Sequence, residues 1–165
     1  MRQFVKISTV AAASLLLGGA ALAAPASAVP TAATQTATAS YDCGSYGVTT
    51  LSIEASAAGG VGSVKVSTSG GLAPVDIPAN SITATLRLQN AGGGTVAFTG
   101  TANDAAAAGQ PVTVGPLTSA VVAGDSLDSY IPAAGSSDYS LSLDIMGAQN
   151  TCKAVTKQTP GPFGF

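Results

Sequence analysis

Between residues 81 and 100 the chain is patterned for paired strands. Ile82, Ala84, Leu86 and Leu88 alternate with Thr83, Thr85, Arg87 and Gln89. A period of two puts the four apolar side chains on one face of a β-strand, whereas a helix would scatter them around its axis. Asn90-Ala91-Gly92-Gly93-Gly94 supplies a turn, and Val96 and Phe98 then resume the alternation. The segment predicts a β-hairpin with one apolar face, and that face needs a second layer to cover it.

The rest of the chain carries the same signal in shorter pieces. Val48, Leu51, Ile53 and Ala55 predict a strand with a change of phase near Thr49-Thr50, broken by Gly59-Gly60. Val64 and Val66 flank Lys65 in a second strand ended by Ser69-Gly70-Gly71. Pro74 and Pro78 make residues 72–80 an edge or a connection. Residues 103–110 hold the one helical turn expected after the N-terminal segment, too short to stand alone. Pro111-Val112-Thr113-Val114, closed by Gly115-Pro116, and residues 117–122 are two more strand candidates, followed by a loop over residues 126–137. Tyr139, Leu141, Leu143 and Ile145 alternate with Ser140, Ser142 and Asp144, and residues 152–157 form the expected last strand. Seven or eight short strands with turns between them predict an all-β domain, an Ig-like antiparallel β-sandwich over residues 41–157. In residues 158–165 the prolines stop any regular sheet. That tail has two readings, a frayed end or a docking of Phe163 and Phe165 on this domain or on a partner.

Residues 1–28 read as an export signal. Arg2 and Lys6 precede an apolar run over residues 10–23, and Ala26-Ser27-Ala28 presents a signal-peptidase site, with Ala21-Leu22-Ala23 a second possible cut. The run is short and broken by Gly18 and Gly19, which argues against a membrane anchor. No second run of spanning length follows. Residues 29–40 are rich in Thr and Ala and read as a disordered spacer, either plain or glycosylated on its threonines. Once Arg2 and Lys6 are removed, Lys65, Arg87, Lys153 and Lys157 face eight acidic residues. No basic patch follows a phosphate backbone, so nucleic acid is not expected as a partner. The expected location is extracellular or cell-wall associated, with an unknown partner there. In an exported protein the single pair Cys43 and Cys152 is most simply a disulfide.

The chain contains no histidine. That removes the commonest general base, the Ser-His-Asp and Cys-His arrangements and most zinc sites. No Ser-x-x-Lys spacing surrounds Lys65, Lys153 or Lys157. Glu54 reads as a solvated strand residue. Asp125 and Asp128 share a Gly/Ser-rich loop and read first as turn aspartates, then as calcium ligands, and last as acid–base catalysts on a glycoside. Tyr130 in the same loop is the best exposed ring for a sugar or peptide. The ligand candidates are therefore Tyr130, Asp125 and Asp128, with no catalytic residue, metal site or cofactor expected.

The signal segment, Tyr41-Asp42-Cys43, the stretch Val96-Ala97-Phe98-Thr99-Gly100-Thr101, the run from Pro111 to Leu117 and the late Cys152 resemble small secreted actinobacterial β-sandwich proteins of unknown function. The resemblance implies an Ig-like sandwich outside the cell and brings no active site. The composition is also similar to that of neocarzinostatin-type apoproteins. Those carry two disulfides and this chain one cysteine pair, a departure that argues against a ligand pocket of their kind. The expectation is a secreted, non-catalytic structural or binding protein. The alternatives are a small-ligand or carbohydrate carrier, and a hydrolase inhibitor or Asp-dependent hydrolase.

Overall fold

The computed structural model describes residues 33–165. The expected signal peptide, its cleavage site and the first residues of the spacer lie outside them. Among the described residues there are ten antiparallel strands, one 3-10 turn (Gly44–Tyr46) and no α-helix. The strands are β1 (Gln35–Asp42), β2 (Val48–Ala58), β3 (Val61–Leu72), β4 (Ile82–Asn90), β5 (Thr95–Thr101), β6 (Pro111–Ala120), β7 (Ser126–Ser129), β8 (Leu141–Ile145), β9 (Ala148–Ala154) and β10 (Phe163–Gly164).

The predicted hairpin is present as β4 and β5, paired from Thr83↔Thr101 to Gln89↔Thr95. Ile82, Ala84, Leu86, Leu88 and Phe98 are all buried. The other side of β4 is also taken: Ile82 to Leu86 pair with β8, and Leu88 to Asn90 pair with β7. From β5 the ladder continues through β6, β3, β2, β1 and β9 to β8, which returns to β4. The sheet therefore closes into an eight-stranded barrel. The all-β fold is as expected, but the strands do not separate into the two sheets of an Ig-like sandwich. The physical reason lies in β4 and β8. These two cleanly alternating strands pair edge to edge, which closes the ring, leaves it no open edge and turns their apolar faces to its interior.

Several sequence expectations change. Residues 35–40, read as spacer, belong to β1, which is in register with β2 from Gln35↔Ala55 to Asp42↔Val48. Ala37 and Ala39 are buried there while Thr36 and Thr38 face out. The alternation was in the sequence, carried by alanines too small to register as a strand face. Residues 103–110 form no helix. Their backbone instead pairs with the preceding connection, where Ile77 and Ala106 exchange N–H···O bonds of 2.7 and 2.9 Å. Buried Asn103 locks this region: its Oδ1 accepts from Ser81 and Ile82 N–H, and its Nδ2 donates to the Pro78 and Asp104 carbonyls. The expected loop over residues 126–137 begins with a strand, β7.

The two strand candidates either side of Gly115-Pro116 are one strand, β6. Val64 pairs with Leu117 and Val66 with Val114, so two residues of β6 oppose the single Lys65. This is a bulge, where a proline costs no ladder bond. Gly115 sits there at φ +126°, and a Cβ on it would lie 2.6 Å from the Val64 carbonyl oxygen. Only glycine fits.

The barrel interior divides in two. Phe98 and Phe163 are fully buried, and the Phe165 ring lies 5.9 Å from that of Phe98. A Cβ on Gly62 would meet Phe98, Phe165 and Val121 within 3.2 Å, so these aromatic side chains gather near the β2–β3 turn. The C-terminal tail docks here on its own domain. Phe163 pairs with Leu127, and Phe165 exchanges backbone bonds with Asp125 and Gly124. The tail plugs that end. The opposite end is lined mainly by aliphatic side chains.

Candidate functional site

The three sequence-derived ligand residues do not converge. The Tyr130 hydroxyl donates to Asp138 Oδ2 at 3.2 Å, and its carbonyl accepts from Ser140 Oγ at 2.6 Å. Desolvation, then the hydrogen bond to the Asp138 carboxylate and its charge, raise the Tyr130 phenol above its ordinary range. Asp138 also faces Arg87 at 4.0 Å, and the Arg87 guanidinium lies 4.2 Å from the centre of the Tyr139 ring. Asp125 closes a turn by accepting from Val122 N–H at 2.8 Å, and its carbonyl accepts from Phe165 N–H. Asp128 Oδ1 accepts from the Ser129 and Gln158 amides, while Oδ2 lies 3.7 Å from Lys157 Nζ. Each aspartate is engaged in holding its own turn or the tail. Glu54 stands exposed on β2, opposite Lys65. Among the described residues no group of three or more acidic or cysteine side chains is placed to hold a metal.

The disulfide is formed between Cys43 and Cys152, across 109 residues of sequence. It lies in the wall of a cavity of about 260 Å³ at the unplugged end of the barrel. Leu51 of β2, Val66 of β3, Ile82 of β4, Val112 and Val114 of β6, and Leu141, Leu143 and Ile145 of β8 line it, with Ile77 from the connection before β4. Thr49, Thr68, Asn150 and Tyr46 bring the few polar atoms. No carboxylate, amine or guanidinium is among the lining side chains.

The cavity follows from how the sequence distributes bulk. Of the large rings, Phe98, Phe163 and Phe165 are spent on the plugged end, and the chain has no Trp. Medium aliphatic side chains from a ring of eight strands do not reach one another at the other end, which leaves room for a guest. Tyr46, which lines the cavity, is itself 72 % exposed.

None of the aliphatic lining residues was singled out as a site from sequence. The available signal was the inward phase of aliphatic positions near both cysteines, and in one dimension that phase reads the same for a filled core and for a hollow one. A second, polar hollow of about 300 Å³ is lined by Gln89, Asn90, Ser126, Asp128, Lys157 and Pro162. Its groups bond mainly to one another and to nearby backbone: Lys157 Nζ donates to Gln89 Oε1 and the Ser129 carbonyl, and Gln89 Nε2 donates to the Gly93 carbonyl. No helix among the described residues is long and apolar enough to cross a membrane. No protein-family profile, curated protein or solved structure matches this chain.

Proposed function

We propose that this chain is an extracellular, non-catalytic binding protein whose site is the cavity at the open end of the barrel, and that its ligand is a small, compact, largely apolar molecule. One observation carries the reading: a chamber of about 260 Å³ with a mainly aliphatic lining, with the exposed Tyr46 among its lining residues. Apolar pockets with a few polar groups are the usual form of small-molecule sites. A dry cavity of roughly 150 Å³ already accepts a benzene-sized guest, so the volume here suits a compact cage or a bicyclic body. The aliphatic lining favours such a guest over a sugar, which would want a flat ring to stack on. Export is supported by the signal-like residues 1–28 and by the disulfide. The likeness to secreted actinobacterial β-sandwich proteins agrees with this reading and remains a resemblance in sequence features.

Adamantanol, a neutral cage alcohol, tests it. With no native Trp, Tyr46→Trp places a single fluorophore on the rim. Saturable change in its emission on titration, matched by a rise in Tm of the unmodified protein, is the expected result. Leu143→Phe and Val112→Phe each narrow the chamber and should weaken binding while leaving the fold intact. Binding that neither variant alters would place the site elsewhere.

A further inference from the structure

Polar side chains stand on the inner face of the cavity wall. Asn150, Cys152 and Ala154 share one face of β9, and Cys152 and Ala154 are buried. Asn150 lies directly opposite Leu143 of β8, and both line the cavity, as two residues facing each other across a ladder share one side of it. Thr49 of β2 lies opposite buried Tyr41, and Thr68 of β3 opposite buried Leu51. Threonine is at home in a strand, whereas asparagine is a poor strand former. An inward Asn150 facing Leu143 therefore runs against both local propensity and apolar packing, the kind of conflict that marks a site.

The bonds of Asn150 leave one atom over. Its Nδ2 donates to the Ala148 carbonyl at 3.4 Å, which identifies the nitrogen and makes Oδ1 the remaining atom. Among the described residues no group donates to that Oδ1. Thr68, by contrast, is engaged, its Oγ1 accepting from Val112 N–H.

We infer that the cavity is built for a compact alcohol and that Asn150 selects it: the guest's apolar body fills the chamber and its hydroxyl donates to Asn150 Oδ1. This rests on the cavity being the binding site and adds the polar group of the ligand. A guest entering the chamber displaces water from the half-buried Asn150 amide. A hydrocarbon cannot replace the lost bond and leaves the acceptor unpaired in an apolar wall, whereas a hydroxyl restores it. An ammonium or carboxylate head would find no ion to pair with, because none of the lining side chains is charged. The neutral hydroxyl meets both conditions, and one such hydrogen bond is worth about fivefold in affinity.

The test compares adamantanol with methyladamantane, which differs from it by a methyl in place of the hydroxyl. Each is titrated against the full-length protein, and the rise in Tm gives its Kd. Asn150→Leu puts an aliphatic side chain at an inward strand position, so the unliganded variant should melt at or above the temperature of the unmodified protein. It should weaken adamantanol about fivefold and leave methyladamantane unchanged or tighter, and Asn150→Val, a β-branched strand former, should do the same. Thr49→Val removes a hydrogen-bonding group from another strand of the wall and should leave the alcohol-to-hydrocarbon ratio unchanged. An equal change for both guests in the Asn150 variants shows that Asn150 only shapes the wall, and binding of methyladamantane alone shows that no hydroxyl is wanted. Either result overturns the inference while the cavity reading stands. A ratio that falls in Thr49→Val and not in the Asn150 variants puts the hydroxyl elsewhere and overturns it as well. Failure of both guests to bind the unmodified protein overturns the cavity reading and the inference together.

Discussion

The docked tail makes a quantitative claim. Phe163 is 2 % exposed and pairs through its backbone with Leu127. The Gly164 N–H donates to Gln35 Oε1 at 3.0 Å and its carbonyl accepts from Gln35 Nε2 at 2.6 Å, and Phe165 exchanges backbone bonds with Asp125 and Gly124 at 2.9 and 2.6 Å. Truncating a buried Phe inside a domain costs about 3–5 kcal/mol. A tail differs, because it lets go. Once its docking free energy is spent, further damage costs nothing, and ordering each of its residues opposes docking by about 1–2 kcal/mol, less for Pro160 and Pro162. Phe163→Ala should therefore lose only about 2–3 kcal/mol, near the transfer value of the ring. Phe165→Ala, half-buried against Phe98, should lose about 1 kcal/mol. A chain ending at Gln158 should match or slightly exceed the Phe163→Ala loss. Urea unfolding of the four proteins measures this through the shift in midpoint. If the chain ending at Gln158 melts with the full-length protein, or if Phe163→Ala costs no more than Phe165→Ala, the plug contributes nothing to stability and the reasoning fails.

Three further outcomes are expected. Leu86→Ala, wholly inside the barrel, should cost about 2–5 kcal/mol, while Thr85→Ala on the outer face should cost under about 1 kcal/mol, both read from denaturant melts. Gly115→Ala should destabilise by at least about 3 kcal/mol, because the new Cβ meets the Val64 carbonyl and φ is +126°; a loss below about 1 kcal/mol would show that the bulge yields. The Tyr41 hydroxyl is buried without a hydrogen-bond partner, and desolvation first, partly offset by the nearby Ser129 side chain, pushes its pKa up to about 12. The unfolded chain releases this proton near pH 10 and the folded one does not, so stability is whole below pH 10 and falls between about 10 and 12, by roughly 2–3 kcal/mol. Tyr41→Phe should flatten that fall and cost little at neutral pH, as followed by unfolding at stepped alkaline pH; an unchanged slope would refute the assignment.

The local pattern determined a good deal of this protein. The strict alternation of Ile82 to Leu88 and of Leu141 to Ile145 specified two strands and their inward faces, because a period of two admits no other regular structure. Gly59-Gly60 and the run after Asn90 marked the turns, and a lone cysteine pair in an export-like chain implied its bridge. Only the tertiary structure decided that β4 and β8 lie side by side and close a barrel, since strand partners are chosen by long-range pairing that no short window contains. It also recovered residues 35–40 as a strand, whose buried Ala37 and Ala39 are defined as interior by the neighbours around them. The bulge at Gly115 joins two apparent strands because Lys65 of a distant strand absorbs the extra residue. The candidate site was the least legible feature of all. Tyr130, Asp125 and Asp128 stood out by type and proved to be engaged with Asp138, the Val122 turn and Lys157. The cavity is made of ordinary aliphatic side chains, and whether such side chains meet across a barrel depends on where the rings go. Here the C-terminal phenylalanines fill one end, and the other stays hollow.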